Sequence, residues 1–346
     1  MKYVSLQVLR AFAAIMVVVY HSQGLCHKYA PGGRSSTEAV LGEFGSHGVD
    51  LFFVLSGFVI LYTIRKTNTS ATDFLLRRLI RIVPLYWLLT LTLFGLGFAV
   101  YPHGALELRP VLESLLFSAY SLHTRPPLLY VGWSIEYEIF FYAIVALALV
   151  VALPVYRAVG VAFLACYAAI HLLIPTMYVS GNFAFFLGNP LLFEFVMGLW
   201  LAELAVGGRL RLADVAIPAA ALGLSIAVAG FGRVVFAGVP AAAAVWIAVK
   251  TERWTGGYRI MQPLARIGDA SYSIYLVQVI ALPVIGKLVV RFLPRISGDL
   301  IILLSVVLIV SAGMLLYSVV ERPLLKALQA VFLPRIDRAP LSASVT

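Results

Sequence analysis

Arg10 and His21 stand in the first apolar stretch of the chain, VLRAFAAIMVVVYHSQ. A guanidinium and an imidazole are each costly in hydrocarbon, so an intramembrane pair requires a reason. Eleven helical steps come to about 1100°, within about 20° of three full turns, so both side chains project from one face about 16 Å apart. A fixed cation and a titratable ring on one stripe are suited to holding an anion and moving a proton. Carboxylates follow at comparable depth: Asp50 in GVDLFF, Glu136 and Glu138 in GWSIEYE after Trp133, and Glu194 in PLLFEF. Polar groups at such depth are tolerated only where they face one another or a wet cavity.

The elements that must position these groups are membrane spans. Hydrophobic residues make up 62% of the 346 and charged residues 12%, which excludes an ordinary soluble domain at about 25% charged. Apolar runs long enough to cross a bilayer occur at about ten places: 4–22, 48–64, 84–101, 133–153, 159–175, 189–206, 213–229, 233–250, 268–290 and 299–320. The expected fold is therefore all-α, a polytopic membrane helix bundle, with residues 1–323 as one domain and 324–346 as a flexible cytoplasmic tail. The first run carries a charge and lacks a small-residue cleavage site, so it reads as a span and not as a signal peptide. Cys26 and Cys166 form no disulfide or metal-binding pattern.

The net charge of +10 is distributed as topology, not as a nucleic-acid surface. With the N-terminus inside, 17 of the 26 Lys and Arg fall on the side of the termini and eight opposite, Arg10 lying within the membrane. The positive-inside rule then places both termini in the cytoplasm. His21, Asp50, Glu138 and Glu194 share an outer layer, and Arg10 lies in the inner half. After the second run, Thr72 or Asp73 is positioned to N-cap a short helix that carries Arg78 and Arg81 on one face. Two readings of this pair stand side by side, namely contact with anionic lipid and a clamp for phosphate.

Arg10 to His21, GVDLFFVLSGFVI at 48–60, Arg78-Leu79-Ile80-Arg81, WSIEYEIFFY at 133–142, Glu194-Phe195, SYSIYL at 271–276 and Glu321-Arg322-Pro323 together resemble the acyltransferase 3 family. These are integral-membrane enzymes that O-acylate carbohydrates. The resemblance runs from about residue 3 to 323 and is densest in the first 142. It implies His21 as the catalytic residue, Arg10 as its companion, Arg78 and Arg81 as ligands of acyl-coenzyme A, and Glu138 as the family's glutamate. Where relatives often carry His after SYSIYL this chain has Gln278, so a hydrogen-bonding role survives there and a titrating one does not. The resemblance also implies acetyl-CoA as co-substrate (succinyl or a short branched acyl group remaining open) and no metal. The expected location is the bacterial cytoplasmic (inner) membrane. Many relatives carry a further esterase-like domain, and none is expected here.

The chain is thus expected to be an O-acetyltransferase. Acyl-CoA would enter from the cytoplasm, with its phosphates at Arg78 and Arg81 and its pantetheine arm running past Arg10. His21 would deprotonate a hydroxyl of a carbohydrate or glycolipid acceptor, oriented by Asp50 or Glu138. Glu194, Trp133 and Gln278 would contact the acceptor. Membrane lipids are the other expected partner, and nucleic acid is not. A direct transfer and a transient acyl-imidazole both stay open. The alternatives from other classes are a proton-coupled glycan transporter and a structural subunit of an export complex.

Overall fold

The structure is a computed structural model that describes residues 3–30, 35–37, 42–67, 69–100, 107–207, 232–255, 258–293 and 295–333, with isolated positions between 216 and 227. The helices are α1 (Val4–Tyr29), α2 (Gly48–Thr67), α3 (Ala71–Val100), α4 (Leu108–Leu115), α5 (Ala119–His123), α6 (Trp133–Val150) and α7 (Val155–Ala168). They continue as α8 (Phe183–Leu187), α9 (Leu192–Ala205), α10 (Val239–Thr255), α11 (Met261–Asp269), α12 (Ser271–Phe292), α13 (Gly298–Leu316) and α14 (Arg322–Phe332). No strand occurs among the described residues. Nine helices or joined helical runs among them are long and apolar enough to cross a membrane. The protein is an all-α, multi-pass membrane bundle. The run expected at 213–229 lies largely outside the described residues, as does 334–346. Residues 324–332 are helical, continuing α13 through a π turn at Tyr317–Glu321 into α14.

The structure differs from the sequence reading most at α3. A short basic helix was expected before a span starting near residue 84, but α3 is one continuous helix of 30 residues with Pro84 inside it. Its start is capped by Ser70, whose Oγ accepts from the Asp73 amide at 3.1 Å, and not by Thr72 or Asp73. Hydropathy reads Arg77, Arg78 and Arg81 as loop. In the fold Arg78 and Arg81 turn inward, so the charges are carried by the bundle interior.

Helix α1 threads the middle of the bundle against α2, α11, α12 and α13. It offers no side-chain cap of its own and no acid in its first turn. Glu252, at the end of α10, supplies both, accepting from the Val4 and Ser5 amides at 2.8 and 2.9 Å. Beside α1, α2 and α9 meet backbone to backbone at Gly57 and Gly198. A Cβ on Gly198 would collide with the Val54 carbonyl and lie 2.7 Å from the Phe58 amide, and one on Gly57 would collide with the Phe195 carbonyl. Small residues let membrane helices approach closely enough for dispersion to hold them.

Helix α2 also carries a buried carboxylate paired with Arg233, which precedes α10. Asp50, in the first turn of α2, is fully buried and receives Arg233 in a fork: Nε to Oδ1 at 2.8 Å and Nη2 to Oδ2 at 2.6 Å. Arg233 Nη2 also donates to the Ser46 carbonyl at 3.1 Å, fastening the 3-10 turn Glu43–His47 to the bundle. Glu194 of α9 is fully buried with its carboxyl beside that of Asp50.

Removing Arg233 leaves the fully buried Asp50 carboxylate without its counter-charge, a change that is destabilising in a buried setting. Arg233→Ala is therefore expected to lower the thermal midpoint of the detergent-solubilised protein markedly. The double variant Asp50→Asn with Arg233→Gln should recover more than half of that loss. A midpoint unchanged by Arg233→Ala would show that the pair has no structural role.

Candidate functional site

Three guanidiniums converge on one chamber. Arg10 from α1 and Arg78 and Arg81 from α3 line a cavity of about 80 Å³ with Ser56 of α2, Ser134 and Glu138 of α6, and Ser271 and Tyr275 of α12. Arg10 Nε and Nη2 donate to Ser271 Oγ at 3.2 and 3.1 Å, and its guanidinium lies 5.9 Å from the Phe52 ring centroid. Arg78 lies 5.9 Å from the centroids of Phe74 and Tyr142. Glu138, the one carboxylate among the described lining residues, accepts from Ser56 Oγ at 2.9 Å and from Tyr142 Oη one turn on. Glu321, which accepts from Ser273 Oγ at 2.6 Å, is close enough to attract Arg10 and Arg81. Three fixed cations against two carboxylates leave a chamber with a surplus positive charge, in a setting where charge is weakly screened.

Two further cavities reach this chamber from the end of the bundle where α1 begins and α2 ends. One, of about 420 Å³, shares Arg10 and Val59 with the chamber and is lined by Tyr3, Gln7, Phe58, Tyr62, Thr63 and Lys66 among others. The second, of about 120 Å³, shares Arg78 and is lined by Thr63, Thr69, Phe74 and Arg77. Arg10 and Arg78 thus stand at the inner doors of two antechambers.

His21, three turns along α1 from Arg10, is half-buried, with Tyr20 and Tyr130 edge-on at ring distances of 5.3 and 5.0 Å. Its Nδ1 lies 3.2 Å from Gln278 Oε1. The amide orientation of Gln278 follows from its other contact. Nε2 donates to the Tyr275 carbonyl at 2.8 Å, a bond that only the NH₂ can make. Oε1 therefore faces the ring as an acceptor, Nδ1 carries the proton, and the lone pair of the neutral imidazole falls on Nε2. Tyr275 is itself pinned, its hydroxyl 2.7 Å from Ser134 Oγ and donating to the Val131 carbonyl at 3.0 Å. A wall residue of the cationic chamber thereby sets the orientation of His21.

The structure rearranges the sequence assignments. Asp50 and Glu138 were expected to orient His21, and Gln278 does so instead. Asp50 is occupied by Arg233, and Glu138 turns into the guanidinium chamber with Ser56 and Tyr142. The outer carboxylates do not form one cluster. Asp50 and Glu194 pack together, Glu138 joins the arginines, and Glu136 accepts from the Tyr120 and Ser121 amides at 2.9 and 2.8 Å, an anchoring role. Glu194 is fully buried and lines none of the three cavities described, and Trp133 is half-buried against Tyr120 and Tyr137. Gln278 was expected to touch the acceptor and is instead held by His21 and Tyr275. Sequence reasoning missed Arg233, Tyr142, Ser271 and Tyr275. Tyr142 stands four residues after Glu138 on one helical face, a signal that was available.

A family model described as "Acyltransferase domain" matches residues 3–319. The chain is 31% identical over 312 residues to the "Exopolysaccharide production protein ExoZ" of Rhizobium meliloti (strain 1021), covering 82% of this chain and 90% of that protein. No solved structure matches. A guanidinium chamber joined to a positioned histidine in a multi-pass bundle, and a family match over nearly the whole chain, lead to one assignment: the chain belongs to the acyltransferase 3 family of membrane acyltransferases.

Proposed function

We propose that the protein transfers an acyl group, acetyl foremost, from cytoplasmic acyl-CoA to a hydroxyl of an exopolysaccharide or its lipid-linked precursor, in the cytoplasmic membrane of a bacterium. The observation that carries this reading is the chamber of Arg10, Arg78 and Arg81, coupled through Tyr275 and Gln278 to the ring of His21. The similarity to a protein named for exopolysaccharide production supports the acceptor class, and the bias of Lys and Arg toward the side of the termini supports the donor's side.

Guanidinium forks match the pyrophosphate of coenzyme A. The rise of about 16 Å between Arg10 and His21 is the distance over which an extended pantetheine arm would lie along α1. The acceptor hydroxyl meets His21 Nε2, which takes its proton as the oxygen attacks the thioester carbonyl. The C–S bond then breaks, the ester leaves on the acceptor, and the coenzyme A thiolate recovers the proton from the imidazolium. Gln278 Oε1 holds the Nδ1 proton throughout. As a neutral acceptor it orients the ring without adding a charge of its own. Glu138 keeps Tyr142 and Ser56 in register on the chamber wall and balances part of the arginine charge. Family membership supports chemistry over transport.

His21→Ala is expected to abolish O-acetylation of surface glycan, scored by nuclear magnetic resonance of polysaccharide from producing cells, with membrane insertion intact. Full acetylation by that variant would overturn the assignment. Gln278→Leu frees the ring to change tautomer and should lower kcat about 100-fold with KM for acetyl-CoA nearly unchanged. A purely structural role would shift the thermal midpoint instead. Arg78→Ala with Arg81→Ala is expected to raise KM for acetyl-CoA by about tenfold or more, whereas an unchanged KM would return these residues to lipid contact.

A further inference from the structure

The central chamber, at about 80 Å³, has room for a diphosphate bridge and a narrow chain but not for a nucleoside. If acyl-CoA is the donor, its adenosine end must lie outside that chamber, and the two antechambers are unequal candidates. Small-molecule sites commonly occupy about 300–1,000 Å³. The antechamber on the Arg78 side, at about 120 Å³, falls below this range, and the one on the Arg10 side, at about 420 Å³, falls within it.

The chemistry of the larger antechamber also fits. Its walls carry an aromatic cluster: Tyr62 stacks on Phe58 with ring centroids 5.7 Å apart and planes 14° apart, and Tyr3 meets Tyr62 edge-on at 5.3 Å. Lys66, one turn after Tyr62, holds its ammonium 4.5 Å from the centroid of the Tyr62 ring. Thr63 and Thr67 also line the cavity, and Arg10 lines it on the side shared with the chamber. The nearby carboxylate of Glu252 is engaged by the first amides of α1 and by Ser5 Oγ. An aromatic ring backed by a second ring, an exposed ammonium beside it and a guanidinium on the chamber side suit a flat base joined to phosphates. An acyl chain of a lipid would fill the same walls but would gain nothing from Arg10.

We propose that the cavity between the start of α1 and the end of α2 seats the adenosine 3′,5′-bisphosphate end of acyl-CoA. In this arrangement the base replaces Lys66 on the face of Tyr62, and the displaced ammonium turns onto the 3′-phosphate. The pyrophosphate then passes Arg10 into the chamber of Arg78 and Arg81. Lys66 thus serves as a cover for the empty ring and as a ligand once the site fills. The inference rests on the reading of acyl-CoA as donor, and it adds which cavity takes the nucleotide and which residues select it.

The test uses purified full-length protein in detergent, with binding of acetyl-CoA, adenosine 3′,5′-bisphosphate and S-acetyl-phosphopantetheine measured by calorimetry on the wild type, Lys66→Gln and Tyr62→Leu. Lys66 is exposed and Tyr62→Leu keeps the apolar wall, and thermal midpoints confirm that both variants fold. Each variant is expected to weaken adenosine 3′,5′-bisphosphate and acetyl-CoA by about tenfold and to leave S-acetyl-phosphopantetheine, which lacks the nucleoside, within about twofold. If the variants bind the nucleotide as the wild type does while acetyl-CoA still binds, the subsite is wrong and the donor reading stands. A wild type that binds no acetyl-CoA overturns both. A short-chain phosphatidylglycerol that competes with the nucleotide as well as acetyl-CoA does would identify the cavity as a lipid groove and overturn the proposal.

Discussion

A charge inside a membrane bundle must find its counterpart within the bundle, because hydrocarbon offers neither water nor ions. Most of this architecture follows from how that demand is met. Asp50 and Arg233 close on each other and tie the Glu43–His47 turn to α2. Glu252 neutralises the exposed amides at the head of α1 and joins the first helix to α10. Arg65 and Glu203 do the same between α2 and α9, the guanidinium nitrogens lying 2.8–3.0 Å from the carboxylate. Each of these pairs is spent on holding helices together. The arginine chamber is different, since its cations outnumber the carboxylates set against them.

The close approach of α2 and α9 is the complementary constraint. Apolar side chains gain little by leaving lipid for the company of other apolar side chains, so membrane helices associate through dispersion and polar contacts at short range. Gly57 and Gly198 bring two backbones together where any side chain would intrude, and the aromatic stack of Phe53, Phe141 and Phe195 packs beside that contact. This close-packed contact fixes α2, which frames the chamber together with α1, α3, α6 and α12. Pre-organisation of the chamber therefore depends on a packing contact that carries none of the chemistry.

The parts of this arrangement legible in the sequence are those with a period or a local motif. The helical face shared by Arg10 and His21, the all-α class and the membrane spans each follow from spacing within one segment. What was not legible involves partners distant in sequence. Arg233 lies 183 positions from Asp50, and nothing in either segment indicates the other. Without that partner, Asp50 looked like a free carboxylate level with His21. Glu138 was misassigned for a related reason: depth along the membrane places it near His21, but depth says nothing about which way a helix face turns, and α6 turns it toward the arginines. The inward turn of Arg78 and Arg81 was hidden by composition, since hydropathy treats a basic run as solvent-facing whether or not the bundle encloses it.

Gln278 is where the two halves of the site meet. A histidine in a helix can pivot about its side chain, and an imidazole that exchanges tautomers would present a lone pair to the acceptor only part of the time. The Tyr275 carbonyl fixes the Gln278 amide, the amide fixes the ring, and the Tyr275 hydroxyl is fixed in turn by Ser134 on the chamber wall. Tyr275 and Gln278 of α12, with Ser134 of α6, thus connect the chamber wall to the ring of His21.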